Sequence, residues 1–168
     1  MVLQSKLLFI TNSQKLQLTK FEYQNRLDIP TIKGLKVYYN LQEKTELLPA
    51  MVSLKLITNT QPKLSCIASK NKRNKSVTFT GCYSSISYQD VYVFLGKLTS
   101  NCLPIKVFLT NVQPIGVQTY QYLFEDISIF KELIVNFENF IYLKNLIVDV
   151  RLTSKNLIEN TFFMKMLN

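Results

Sequence analysis

The sequence predicts an α+β fold, a two-layer sandwich in which a mixed, mostly antiparallel sheet carries helices packed on one face. Two observations carry this expectation. Segments with an apolar period of two alternate irregularly with segments of helical period, and tight Asn-Gly or Asp-Gly hairpin turns are absent. At 168 residues the chain is most simply one domain, 1–168, with residues 1–20 a candidate extension. Hydrophobic residues make up 47% and charged residues 18%, a balance that favours a folded core over disorder.

Ile32 to Leu41 opens the pattern. Leu35, Val37, Tyr39 and Leu41 fall on one face, with Lys36, Tyr38 and Asn40 on the other, the signature of a half-buried strand. A helix follows from about Pro49 to Thr58. Leu48, Met51, Val52 and Leu56 recur at helical spacing, Pro49 suits the first turn, and Asn59 supplies a stop. Ser76 to Thr80 reads as a second strand, with Val77 and Phe79 inward, Ser76, Thr78 and Thr80 outward, and Gly81 as punctuation. Ser87 and Asp90 resemble a capping box before the apolar stripe Val91, Tyr92, Leu95, Leu98 and Cys102, which Pro104 ends. Ile105 to Thr110 alternates again, and Asn111 to Thr119 reads as a loop. Tyr120 to Phe130 is strand-like, and Leu146 to Leu152 strongly so. Ser154 is expected to cap a last helix carrying Leu157, Ile158, Phe162 and Met166. No internal repeat and no linker divides the chain.

Charge is unevenly spread. Between Glu46 and Glu125 one acid, Asp90, faces eight bases, five of them between Lys63 and Lys75. With a formal charge of +9, such a cluster draws polyanions by its field and by counterion release. Seventeen Lys against three Arg, the absence of Trp and His, and abundant Asn, Ile, Phe and Tyr fit an AT-rich genome, as of an organelle or a compact parasitic or viral genome. The first twenty residues hold three lysines and no arginine, whereas a transit peptide is normally Arg-rich. A chain made inside its organelle needs no such address.

Several function classes recede. The longest uncharged run, Val107 to Phe124, is broken by Asn111, Gln113, Pro114, Gly116 and Gln118, so no membrane span is expected. Cys66, Cys82 and Cys102 lack C-x-x-C spacing and partner His, so neither metal nor cofactor is expected. Each reads as a small apolar side chain in a reducing compartment. Catalysis is disfavoured too. No His is available as a general base, Glu125 and Asp126 would point to opposite faces of a strand, and no phosphate-cradling G-x-x-x-x-G-K motif occurs.

An RNA partner fits better. Lys36, Tyr38 and Asn40 on one strand and Thr78 on the next would give a polar, aromatic face suited to ribose and unstacked bases. Lys70, Lys72, Arg73 and Lys75 stand just before the second strand, placed to grip phosphates. The rival readings are a basic protein-interaction module and a peripheral membrane protein using its lysines on anionic lipid.

Collinear motifs extend this reading: Phe21-Glu-Tyr-Gln-Asn25, Ile29-Pro30, the strand ending at Asn40, Leu56-Ile-Thr58 with Gln61-Pro-Lys63, Ala68-Ser-Lys70 and Ser76-Val-Thr-Phe79. Val91 to Pro104, Tyr120 to Leu133 with Ile129-Phe-Lys-Glu132, and Leu146 to Ser154 complete the series. In this order they resemble the large-subunit ribosomal protein five family, the 5S rRNA-binding proteins of the central protuberance, over nearly everything from Phe21 onward. The resemblance implies a structural ribosomal protein that holds 5S rRNA on one sheet face, touches domain V of the large rRNA and meets a small-subunit protein in an intersubunit bridge. It also implies RNA contacts at Asn40, Gln61 and Thr78, with Lys63 beside them, and a loop, Lys70 to Lys75, directed at P-site transfer RNA.

The chain departs from that pattern in places. Asn71-Lys-Arg-Asn74 is shorter than the family's glycine-containing loop tip, Leu41-Gln-Glu-Lys44 replaces glycines, and residues around Cys82 to Ser87 enlarge a connection. Glycine is also reduced before Tyr120. With the composition, this drift implies a mitochondrial ribosome, where the partner is 5S rRNA or whatever replaces it, with large rRNA and neighbouring ribosomal proteins.

Overall fold

Alternation in the first strand sets the frame of the sheet. The computed structural model describes residues 15–23, 25, 28–41, 43–68, 77–87, 90–101 and 113–166. Its strands are β1 (Ile32–Asn40), β2 (Lys63–Ala68), β3 (Val77–Ser87), β4 (Gln113–Pro114), β5 (Thr119–Phe124) and β6 (Leu146–Leu152). The helices are α1 (15–20), α2 (Leu47–Thr58), α3 (Asp90–Asn101), α4 (Lys131–Ile134) and α5 (Leu157–Met166). One six-stranded antiparallel sheet, ordered β2-β3-β1-β6-β5-β4, carries the helices packed against it. The α+β sandwich expected from the periodicities is the fold.

The chain groups into two compact units. One comprises residues 1–35, 87–122 and 149–168, the other 36–86 and 123–148. In the first, Val91, Phe94, Leu95 and Leu98 bury one side of α3, and Val150 and Leu152 bury one side of β6. Helix α5 is anchored by Asn160, which is fully buried. Its Nδ2 donates to the Val117 carbonyl at 2.7 Å and to the Ser154 carbonyl at 2.9 Å. Asn160 thereby selects the face of α5 that turns inward, so Phe163 and Met164 are buried while Leu157 and Ile158 are exposed. This reverses the expected stripe at Leu157 and Ile158, while Phe162 is half-buried with its ring edge-on to Phe21 and the Met166 side chain lies outside the described residues. The cap also sits two residues later than expected. Asn156 Oδ1 accepts from the Ile158 amide at 3.1 Å, and Ser154 Oγ accepts from the Asn156 amide at 3.1 Å.

In the second unit, Val37 and Tyr39 of β1 are buried with Ala50, Leu54 and Ile57 of α2. The expected stripe of Leu48, Val52 and Leu56 lies instead on the exposed side, Leu48 at 75%. The reason is compositional. Helix α2 has Lys55 as its one charge and is apolar nearly all round, so two stripes of helical spacing coexist and periodicity alone does not choose between them. Its end is as expected. Asn59 adopts the left-handed conformation, φ 56°, and its amide reaches the Lys55 carbonyl.

Other boundaries move as well. Strand β3 does not stop at Gly81 but runs through it to Ser87, so Cys82 to Ser87 is strand and not an enlarged connection. Strand β5 ends at Phe124, and Asp126 closes a turn by accepting from the Ser128 amide at 2.8 Å and hydroxyl at 2.7 Å. Those bonds hold its carboxyl below the ordinary value. Glu125 and Asp126 are therefore not strand neighbours. The expected loop before Thr119 contains the short strand β4, paired with β5. The expected strand Ile105 to Thr110, Cys102 and the Leu41–Lys44 position Gln42 lie outside the described residues.

Candidate nucleic-acid interface

The candidate site is built on β1, β2 and β3, whose sequences contain no Asp or Glu. Val37 and Tyr39 take the inner side of β1. That leaves Lys36 and Tyr38 half-buried and Asn40 exposed on the other side, as period two requires. Burial on the inner side is deep enough to push the Tyr39 hydroxyl well above its ordinary value. Ser53 Oγ lies 3.4 Å from that hydroxyl and 2.9 Å from the Ala50 carbonyl.

Gly81 brings β3 close to β1. A Cβ at this position would stand 2.0 Å from the Tyr39 carbonyl oxygen, and its φ is 150°. Only a residue without a side chain fits there. Register shifts at this point, Ser65 opposing Gly81 while Cys66 opposes Phe79, which leaves Thr80 as the extra residue of a bulge. Thr80 turns its hydroxyl to the Ser65 carbonyl at 2.9 Å and Oγ at 3.1 Å, and its carbonyl accepts from the Leu41 amide at 3.1 Å. The outward role expected for Thr80 is thus replaced by a structural one.

Beyond the bulge, Cys82, Ser84 and Ile86 are buried and Tyr83 stays half-exposed on the opposite side. Lys63 of β2 pairs with Tyr83, so the two share a face. Lys36 Nζ lies 4.9 Å from the Tyr83 ring centre and 5.1 Å from that of Tyr38, both within cation–π range. The turn from α2 into β2 is pinned by hydroxyls. Thr58 Oγ1 donates to the Leu54 carbonyl at 2.6 Å and lies 3.1 Å from Ser84 Oγ, which also bonds Thr60. That cluster fixes the exit of Gln61 and Lys63, both exposed.

Of the residues expected at the site, Lys36, Tyr38 and Lys63 come together around Tyr83, with Asn40 exposed at the end of β1 and Gln61 at the entry to β2. Thr78 lies in β3 opposite Ile67; its side chain, and Lys70, Lys72, Arg73 and Lys75, lie outside the described residues. Tyr83 is not among the expected site residues. Its outward side follows from the bulge at Thr80, which resets the alternation that a reading of single residues assumes to be continuous. Cys66, expected as a small apolar side chain, is exposed on β2, whereas Cys82 is buried and its thiol pushed up to about 11 by that burial.

Chemically the face offers two ammonium groups, two phenol rings and amides, without a local carboxylate on its strands. It can neutralise phosphates and meet flat or hydroxylated ligands. Among the described residues, no group of three His, Cys, Asp or Glu could hold a metal, and no helix is long and apolar enough to cross a membrane. In the other unit a cavity of about 430 Å³ is lined by Tyr23, Asp28 and residues 153–156 and 159. Its Glu159 already accepts from Ser154 at 2.8 Å and Asn156 at 3.0 Å as part of the α5 cap. Compared with protein-family models and with curated proteins, the chain matches no family model and no curated protein.

Proposed function

We propose that this chain is a non-enzymatic, structural protein of a mitochondrial large ribosomal subunit, binding rRNA in the central protuberance. The observation that carries the reading is the acid-free outer face of β1, β2 and β3, where Lys36 and Lys63 stand beside Tyr38 and Tyr83 and Asn40 is exposed. The lysine-rich connection Lys70, Lys72, Arg73 and Lys75 joins β2 to β3 in sequence, so the densest positive charge falls, along the chain, between two of these strands. The motif order supports the ribosomal assignment, with 5S rRNA or its replacement and domain V of large rRNA as partners. A small-subunit bridge protein and P-site transfer RNA are the further neighbours in this reading.

Sedimentation decides the assignment. The tagged chain should travel with large ribosomal subunits on a sucrose gradient and stay there after a moderate salt wash. Recovery at the top of the gradient, or on anionic liposomes, would replace it with the protein-interaction or the membrane reading. Purified chain should bind rRNA with log affinity falling linearly against log salt. Replacing Lys70, Lys72, Arg73 and Lys75 together by Ala should weaken binding to all RNAs and flatten that slope by about 0.7–0.9 per lost phosphate contact. An unchanged slope would remove the cluster from the interface.

A further inference from the structure

Deepening the RNA-binding reading, on which it rests, we propose that Tyr83, with Tyr38 and Lys36, forms a stacking platform for unpaired RNA bases. The outer face is thus matched to a looped or bulged strand and not to a duplex. The two rings project from neighbouring strands of one sheet, with a single ammonium within about 5 Å of both ring centres. Lys63 is paired in register with Tyr83 and supplies a second cation on the same face.

The chemistry of this group selects its ligand. An ammonium over an exposed ring contributes only a few-fold in affinity, whereas a base stacked on an aromatic ring contributes on the order of tenfold or more. An arriving base therefore displaces Lys36 from the rings, and the freed ammonium meets the phosphate of the same nucleotide. A free phosphate or an acidic peptide would engage the lysines but gain nothing from the rings. A duplex would present only its backbone here, because A-form RNA keeps base faces stacked inside the helix. Gly81, which has no side chain, follows Thr80 at the bulge, and Thr80's hydroxyl is occupied by Ser65. Neither of these neighbours competes with a base for the ring.

Two RNAs of equal phosphate number test this on the full chain: a hairpin with 2-aminopurine in its unpaired loop, and a blunt duplex. The loop fluorophore should be quenched on binding. Tyr83→Ala should lose about tenfold affinity for the hairpin and leave the duplex unchanged, while Tyr83→Phe keeps both. Tyr83→Leu preserves apolar bulk without a π face and should behave like Tyr83→Ala, which guards against loss by misfolding. Lys36→Gln should lose a few-fold on both RNAs and leave the quenching intact. Equal losses on hairpin and duplex for Tyr83→Ala, or full affinity in Tyr83→Leu, would overturn the platform while leaving RNA binding in place. Failure of the unmodified chain to bind either RNA would instead overturn the RNA reading itself.

Discussion

At the scale of single residues, Gly81 carries the most conformational information. Its φ of 150° and the 2.0 Å approach to the Tyr39 carbonyl leave no room for a side chain. Gly81→Ala therefore has to strain φ and push β1 from β3, at a cost on the order of 1–3 kcal/mol or more. Thermal unfolding should register this as a clear drop in Tm, and RNA affinity should fall with it, because Tyr83 and Asn40 flank the displaced contact. A variant as stable as the parent would show that the two strands are less close than described. Asn40→Ala makes the opposite case. Asn40 is exposed, so its loss should leave the free energy of unfolding within about 0.5 kcal/mol of the parent, the range of most surface changes, while weakening RNA recognition. Gly81 is visible in the sequence as punctuation, but the letter G does not distinguish the end of a strand from a bulge within one. Lys36, Tyr38 and Asn40 were legible because an unbroken period of two fixes their side. Tyr83 was not, because its side depends on a partner strand that no local pattern announces.

At the scale of elements, α2 and α5 show where periodicity stops being informative. Both helices were readable as helices, and Asn59 marked the end of α2. Their buried faces were not readable, because each is apolar on more than one side. Burial of Leu54 and exposure of Leu48 give a direct prediction. Leu54→Ala should destabilise by about 2–5 kcal/mol, the usual range for a buried leucine, and Leu48→Ala by about 0.5 kcal/mol or less. Chemical denaturation of the two variants checks this; similar midpoints would mean that the faces of α2 are misassigned. In α5 the deciding residue is polar. Asn160 commits its amide to two carbonyls, and the apolar residues three and four positions further on follow it inward. Strand β2 was missed altogether. Lys63-Leu-Ser-Cys-Ile-Ala carries no clean alternation, and Leu64 and Cys66 remain exposed. Its membership of the sheet comes from pairing with β3 and from the hydroxyl cluster of Thr58, Thr60 and Ser84, which are tertiary facts.

At the scale of the whole molecule, the sandwich itself was legible, since several independent segments agree on layer-forming periods. So was the charge asymmetry, which is a property of composition. The response of stability to pH is also a whole-molecule property, and here its sign is fixed by burial. Burial raises Tyr39, and it raises Tyr120 as well; it pushes Cys82 up to about 11, and burial followed by the charge of Glu159 pushes Tyr23 up to about 12. Each of these groups is neutral when protonated, so the folded state holds its proton more tightly than the unfolded chain does. Their contribution is fully present below the unfolded values, near 9 for the thiol and 10 for the phenols, and is lost as pH rises through the folded ones. Asp126, lowered by its bonds to Ser128, acts at the other end, its contribution lost as pH falls through the folded value. It is exposed, so that loss is small. The chain should therefore hold a nearly constant Tm around neutrality and lose stability steeply above about pH 9. Cys82→Ala should delay the onset of that loss, although it lowers Tm at neutral pH by leaving a small cavity. Thermal melts from pH 7 to 11, with thiol alkylation as a second readout, test both points. At pH 8 the exposed Cys66 should react at once, and Cys82 only when denaturant opens the fold. A flat alkaline profile, or Cys82 alkylated as fast as Cys66 in the folded chain, would show that the interior beneath the proposed RNA-binding face is open to water. The outer face would then have no rigid layer to hold Lys36, Tyr38 and Tyr83 in register.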